Sequence, residues 1–168
     1  RALCGLVLEM KGTAENCFAR ANMEQDNPVG AISGLFDAVS NSDNIKNCYF
    51  AGQIIGGETA HGLARSYGVM GANAPSCYFA TNEGVVDAWA VSVSEEELKL
   101  PSTLVGWDFD IWEIDPEYNR GLALLRCLKP YMKKDHILNG TGTKEDPYEI
   151  WTNDDFASLG EHGYGEGH

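Results

Sequence analysis

Three stretches decide how this chain folds: Asn16-Cys17-Phe18-Ala19, Asn47-Cys48-Tyr49-Phe50-Ala51-Gly52 and Ser76-Cys77-Tyr78-Phe79-Ala80. Each is a small polar residue, then a cysteine, then aromatic and small residues, and the cysteines return after 31 and 29 residues. A second marker keeps the same period: Gly5-Leu6 returns as Gly34-Leu35 and Gly62-Leu63, steps of 29 and 28 residues. A fixed period of this size is the mark of a repeat architecture, in which each unit buries its apolar face only against its neighbours.

Composition then decides between helical hairpins and coils of strand. Turn formers (Asn27-Pro28, Asn41-Ser42-Asp43-Asn44, Gly56-Gly57, Gly71-Ala72-Asn73) come too often for ten-residue helices. What remains are short runs such as Ile45 to Phe50 and Cys77 to Ala80, rich in aromatic and β-branched residues. The expected fold class is therefore all-β: a parallel β-solenoid, right-handed β-helix-like, with coils of ~29 residues. Equivalent residues of successive coils stack roughly 4.8 Å apart, so Cys17, Cys48 and Cys77 are predicted to form an inward ladder of small apolar side chains. Gly5, Gly34 and Gly62 are expected where the backbone needs a positive φ or a tight corner, and Leu6, Leu35 and Leu63 are expected to point inward.

The chain has 168 residues, of which 25 are acidic and 12 basic, net −13. Such a balance disfavours a surface that tracks nucleic-acid phosphates or anionic lipid. No apolar run approaches the ~18 residues of a membrane span. With Arg1 at its start and no apolar leader, the chain reads as a mature or excised piece. Residues 1–80 carry 7 acids and 5 bases, and residues 81–168 carry 18 and 7 together with all four tryptophans, Trp89, Trp107, Trp112 and Trp151. A change of architecture near residue 80 follows.

In the second half, Ser94 with Glu97, flanked by Glu95 and Glu96, predicts a capping box opening a short helix that Pro101 ends. Trp107, Phe109 and Ile111 alternate with Asp108 and Asp110 as a half-buried strand does, and the apolar phase slips at Trp112 and Ile114, implying a bulge. Asp115-Pro116 predicts a turn and Gly121 to Leu128 a further strand. This Trp-rich acidic block is expected to cap an open solenoid end, where unpaired strand edges would otherwise recruit another chain. A short helix capped by Thr152 or Asn153 is predicted over Trp151 to Leu159, followed by a flexible tail from Gly160 to His168.

The Gly-Leu step followed by an Asn-Cys-Tyr-type segment resembles the GLUG-motif repeat of bacterial surface proteins, over roughly residues 1–92. Here the usual Gly-Gly-Leu-Val-Gly run is reduced to Ile32-Ser33-Gly34-Leu35-Phe36 and His61-Gly62-Leu63-Ala64. Residues 93–131 resemble the ending that follows such repeats. Gly140-Thr141-Gly142-Thr143-Lys144-Glu145-Asp146-Pro147-Tyr148 resembles the opening of a further β-solenoid module, so residues 132–168 are expected to be connector and start of that module. The resemblance implies a non-catalytic structural and adhesive module, stalk and recognition surface of a larger cell-surface or extracellular protein. The implied partners are a host glycan or protein, neighbouring modules of the same polypeptide, or further copies. A phage virion component is the alternative location, to which reduced core cysteines are suited.

The remaining constellations have plain readings. Adjacent coils bring cysteines within disulfide range, although three at one position are more economically a reduced core ladder, and Cys4 and Cys127 have no assignment. No cysteine has a histidine beside it, so no catalytic thiol is expected. His162 and His168, with Glu161 or Glu166, lack zinc spacing. Asp108, Asp110 and Asp115 are candidate calcium ligands, but their spacing misses the calcium-loop pattern and suits a polar strand face; no cofactor is expected. A polysaccharide-processing β-helix enzyme needs a carboxylate group on one strand face. The acids of the repeat half, Glu9, Glu15, Glu24, Asp26, Asp37, Asp43 and Glu58, recur at no shared position. Tyr49, Tyr67 and Tyr78 are either sugar-stacking surface residues or core.

Overall fold

The structure is a computed structural model that describes residues 2–26, 30–39, 45–66, 76–87, 90–135, 143–145 and 147–150. Asn27-Pro28, residues 41–44, Tyr67, Gly71-Ala72-Asn73, Trp89, the expected helix over 151–159 and the tail lie outside the described residues, as do residues 140–142 and 146 of the module opening at 140–148.

The first repeat holds β1 (Ala2–Cys4), β2 (Val7–Met10), β3 (Ala14–Glu15), β4 (Phe18–Arg20) and β5 (Met23–Gln25). The second holds β6 (Ala31–Ser33), β7 (Phe36–Val39), β8 (Ile45–Lys46), β9 (Tyr49–Ala51) and β10 (Ile54–Gly56). The third contributes β11 (Thr59–His61), β12 (Ala64–Ser66) and β13 (Tyr78–Ala80), and β14 (Val91–Val93) follows. Equivalent strands pair in parallel to make several short sheets, in the orders β1-β6-β11, β2-β7-β12, β3-β8, β5-β10 and β4-β9-β13-β14. Ala2 stands opposite Ala31, and Ala31 opposite Thr59. Phe18 stands opposite Tyr49, and Tyr49 opposite Tyr78. The fold is thus strand-rich and parallel, and no helix among the described residues is long and apolar enough to cross a membrane.

The expected run from Ile45 to Phe50 is broken in two by a corner at Asn47, which adopts φ 50°, as Asn16 adopts 55° in the repeat before. Asparagine tolerates this left-handed conformation better than other residues with a Cβ. The Gly-Leu pairs do lie at bends between strands, but the alternative expectation of positive φ fails: Gly5, Gly34 and Gly62 are absent from the positive-φ positions. Their need for glycine is close approach instead. A Cβ on Gly34 would come within 2.1 Å of the Gly62 carbonyl oxygen and 2.5 Å of the Phe50 ring, and one on Gly62 within 2.1 Å of the Phe79 ring. On Gly5 it would meet the Gly34 oxygen at 2.2 Å. Gly5 and Gly34 therefore let one repeat rest on the next, and Gly34 and Gly62 leave room for an aromatic ring of their own repeat.

Leu35 and Leu63 are fully buried, whereas Leu6 remains 48% exposed, because only one face of the first repeat is covered by a neighbour among the described residues. The inner core comprises Ile32, Leu35, Phe36, Val39, Ile45, Cys48, Phe50, Ile54, Leu63, Cys77 and Phe79 with their neighbours.

After β14 the Ser94 capping box opens α1 (Glu95–Leu98): the Ser94 hydroxyl accepts the Glu97 N–H at 3.2 Å while the Glu97 carboxylate accepts the Ser94 N–H at 2.8 Å. The helix ends at Leu98, ahead of Pro101. The alternating segment Trp107 to Ile111 is turn rather than strand, since the Asp108 carbonyl accepts the N–H groups of both Ile111 and Trp112. Only β15 (Trp112–Glu113) and β16 (Leu124–Leu125) extend, as an antiparallel pair. Gly121 to Leu128, entered through left-handed Asn119 and Arg120, is thus strand only at Leu124–Leu125 and turns at residues 126–128.

Candidate functional site

Side chains of the β4-β9-β13 sheet alternate between two environments, as a pleated strand requires. Ala19, Phe50 and Phe79 pack inward with the three cysteines, while Phe18, Tyr49 and Tyr78 face the Trp-rich segment. That segment lies across three stacked strands on the side of the repeats, not over an open end as the sequence suggested. Trp107 contacts Tyr49 and Tyr78 at ring-centroid distances of 6.0 and 6.2 Å, Trp112 contacts Phe18 and Tyr49 at 5.9 and 6.2 Å, and the two indoles meet at 4.3 Å. The polar tips are satisfied: Trp112 Nε1 donates to Asn16 Oδ1 at 3.0 Å and Trp107 Nε1 to the Ser76 carbonyl at 2.8 Å. The Tyr49 hydroxyl donates to the Ala123 carbonyl at 2.6 Å and accepts from Asn119 Nδ2 at 2.9 Å. Burial holds the Tyr49 hydroxyl well above its ordinary pKa. Tyr49 and Tyr78 are therefore core, and the sugar-stacking option for them is withdrawn.

The three cysteines stand on adjacent strands of one column. Tyr49 N–H donates to the Cys17 carbonyl and Tyr78 N–H to the Cys48 carbonyl, both at 3.0 Å. Cys48 and Cys77 are fully buried and Cys17 is half-buried. The Cys48 thiol donates to the Lys46 carbonyl at 3.1 Å and the Cys17 thiol lies 3.4 Å from the Glu15 carbonyl. The left-handed asparagine turns that carbonyl toward the thiol, so cysteine here fills space as a small hydrophobe and also supplies a weak donor. The neighbouring Cys48 thiol and burial push Cys17 upward; against the lowering from Cys17, Cys77 and burial push Cys48 up to about 12. All five cysteines are free.

A polar corner was missed by the sequence reading. The residue before each Gly-Leu forms its own column: Cys4 stands opposite Ser33, and Ser33 opposite His61. The signal was present as a position shared by the repeats, obscured because its three occupants differ in chemistry. Two residues beyond each Gly-Leu, Asp37 and Arg65 form a salt bridge of 2.9 Å with the Asp37 side chain 8% exposed. Asp87 fixes the corner, its Oδ2 accepting from Leu63 and Ala64 N–H at 2.8 and 2.9 Å and its Oδ1 from Ala90 N–H at 3.0 Å. Burial lowers the His61 pKa below 6.5, keeping the imidazole neutral. Ser33 Oγ and Asp37 Oδ1 are buried without a hydrogen-bond partner, so Ser33 is not paired to His61 as a nucleophile is to its base. Cys4 and His61 are separated by the Ser33 strand, too far for a thiol–imidazole pair.

Of the candidate calcium ligands, Asp115 is taken by Lys129 at 2.7 Å and Asp108 Oδ1 caps the Asp110 N–H. Among the described residues no group of three metal-ligating side chains gathers. Glu15 pairs with Lys46 at 3.6 Å across adjacent repeats, and Asp43 lies outside the described residues, as do His162 and His168. Compared with protein-family models, with curated proteins and with solved structures, the chain finds no match in any of the three.

Proposed function

We propose that this chain is a β-solenoid module with GLUG-like repeats, acting as a structural and adhesive element of a larger bacterial cell-surface or extracellular protein. The observation that carries the reading is the parallel register at which strands of one repeat meet those of the next, with cysteine, glycine and leucine each keeping one column. Such stacking transmits load along the axis and repeats a surface at a regular rise, which suits a stalk that displays a binding face. The acids in the repeats support binding over catalysis: Asp37 is consumed by Arg65 and Glu15 by Lys46. The ligand class in this reading is a host glycan or protein, bound to the side faces that the Trp-rich segment leaves uncovered.

The test is a paired measurement on one preparation: turnover on acidic and neutral glycans, and retention on glycan arrays and host cells. Retention without turnover is the expected result. Turnover abolished by one Asp or Glu substitution replaces this reading with the polysaccharide-processing enzyme. A second location, a phage virion component, is favoured by the column of reduced core thiols, which suits folding in a reducing compartment.

A further inference from the structure

The cysteine column contains more than packing. Phe18, Tyr49 and Tyr78 are in register, so the cysteines that precede them face one another on adjacent parallel strands. Neighbouring strands lie ~4.8 Å apart, inside the Cα window of roughly 4.4–6.8 Å that a disulfide accepts. The thiol of Cys48 stands beside those of both Cys17 and Cys77. One sulfur can bond to only one of them, so two bridges compete for Cys48. Access separates the competitors: Cys77 is 0% exposed, whereas Cys17 lies at the half-buried outer end of the column.

We propose that Cys17 and Cys48 form an oxidisable pair, a latent covalent staple between the first and second repeats, with Cys77 left as a buried free thiol. The co-reactant is a small disulfide of the glutathione class. The Cys17 thiolate attacks one sulfur of the small disulfide, forming a mixed disulfide and expelling one thiolate, which takes up the proton Cys17 gave. The Cys48 thiolate then attacks the Cys17 sulfur, forming the protein disulfide and expelling the second thiolate, protonated in turn. Two protein thiols are oxidised and one small disulfide is reduced to two thiols. The bridge closes the chain between residues 17 and 48 and restrains the unfolded state more than the native one. It also replaces two weak S–H donors, those toward the Glu15 and Lys46 carbonyls. The Cys48 thiol and burial raise Cys17, and against the lowering from Cys17 the Cys77 thiol and burial raise Cys48, so oxidation is slow near neutral pH and quickens as pH rises.

The experiment incubates the folded full chain with oxidised glutathione at pH 7 and pH 9, alkylates remaining thiols under denaturing conditions, and maps non-reduced peptides by mass spectrometry. The expected result is a linked peptide pair containing Cys17 and Cys48, alkylation of Cys77, faster formation at pH 9, and a higher urea midpoint after oxidation. Two variants keep the inference testable. Cys77→Ala retains the bridge, and Cys17→Ala leaves Cys48 and Cys77 reduced because the oxidant has no entry. Glutathione held on Cys17 without a second step, a Cys48–Cys77 link in the unsubstituted chain, or three unmodified thiols at pH 9 each overturns it.

Discussion

Substituting Gly34 by alanine tests the claim that glycine serves close approach. The new Cβ would sit 2.1 Å from the Gly62 carbonyl oxygen, where ordinary contact begins at 3.4 Å, so the two repeats must separate by 1.3 Å, the difference of those two distances. The obstacle on that side is backbone and cannot swing away; on the other it is Phe50, itself fully buried. Three hydrogen bonds cross the same boundary, from Gly34 N–H to His61 at 3.0 Å and from Leu35 and Phe36 N–H to Leu63 at 2.8 and 3.0 Å. Separation on that scale takes all three beyond bonding distance. At ~1 kcal/mol each, with overpacking of about 1–3 kcal/mol where the structure yields instead of separating, the expected loss is about 3 kcal/mol. That is a large share of the ~5–15 kcal/mol that holds an ordinary domain together. Urea unfolding followed by tryptophan emission reads the change, with Gly12→Ala as control. A Cβ on Gly12 meets nothing within 4 Å and its φ is not positive, so that variant is expected to be neutral or to gain ~0.4–1 kcal/mol. If Gly34→Ala unfolds within ~0.5 kcal/mol of the unsubstituted chain, the close-approach argument is wrong.

Four further outcomes follow from the contacts described above. Tyr49→Phe removes one hydrogen bond each from the Ala123 carbonyl and the Asn119 amide, which keep their mutual bond at 3.1 Å, and is expected to cost ~0.5–1.5 kcal/mol by urea midpoint. Because Tyr49 and Cys48 are both raised in the folded chain, their contribution is complete below pH ~9 and is lost as pH climbs toward 12, so a urea midpoint that stays flat from pH 8.5 to 11 contradicts their burial. His61 runs the other way: its folded pKa is lowered from 6.5, so its contribution is present above that pH and is lost as pH falls, and His61→Gln should flatten the acid limb between pH 6.5 and 5. Arg65→Leu leaves the Asp37 carboxylate buried without its cation and should cost about 3 kcal/mol, of which Asp37→Leu in the same chain recovers a good part; strict additivity in that double-mutant cycle would show the pair to be uncoupled.

Periodicity was legible because stacking imposes it: whatever occupies a column must fit between the copies above and below, so cysteine, glycine and leucine recur. The capping box was legible because Ser94 and Glu97 act over three residues of local chain. The path of the second half was less so. Trp107 to Ile111 alternates like a strand, yet Trp107 and the Trp112 that follows it are spaced to reach Tyr49, Tyr78 and Phe18, contacts that no local pattern encodes. Reading the aromatics after each cysteine as one class also concealed that Tyr49 and Phe50 face different cores. The polar corner escaped because Cys4, Ser33 and His61 share a position and no chemistry.

The two markers disagree by two residues between the first and second repeats, 29 for Gly-Leu and 31 for cysteine, and the structure locates the difference. Met10 and Val39 are still in register at the end of β2 and β7, and so are Ala14 and Ile45 at the start of β3 and β8. Three residues join the first pair of strands and five join the second. All the extra length therefore falls between Val39 and Ile45, and the paired strands on either side keep their register. Loop length is cheap in closure entropy, whereas a slip inside a column would turn Phe50 and Tyr49 to each other's face. The period of such a chain is consequently a property of its strands, and comparing marker steps shows where its corners accept insertions before any coordinate is known.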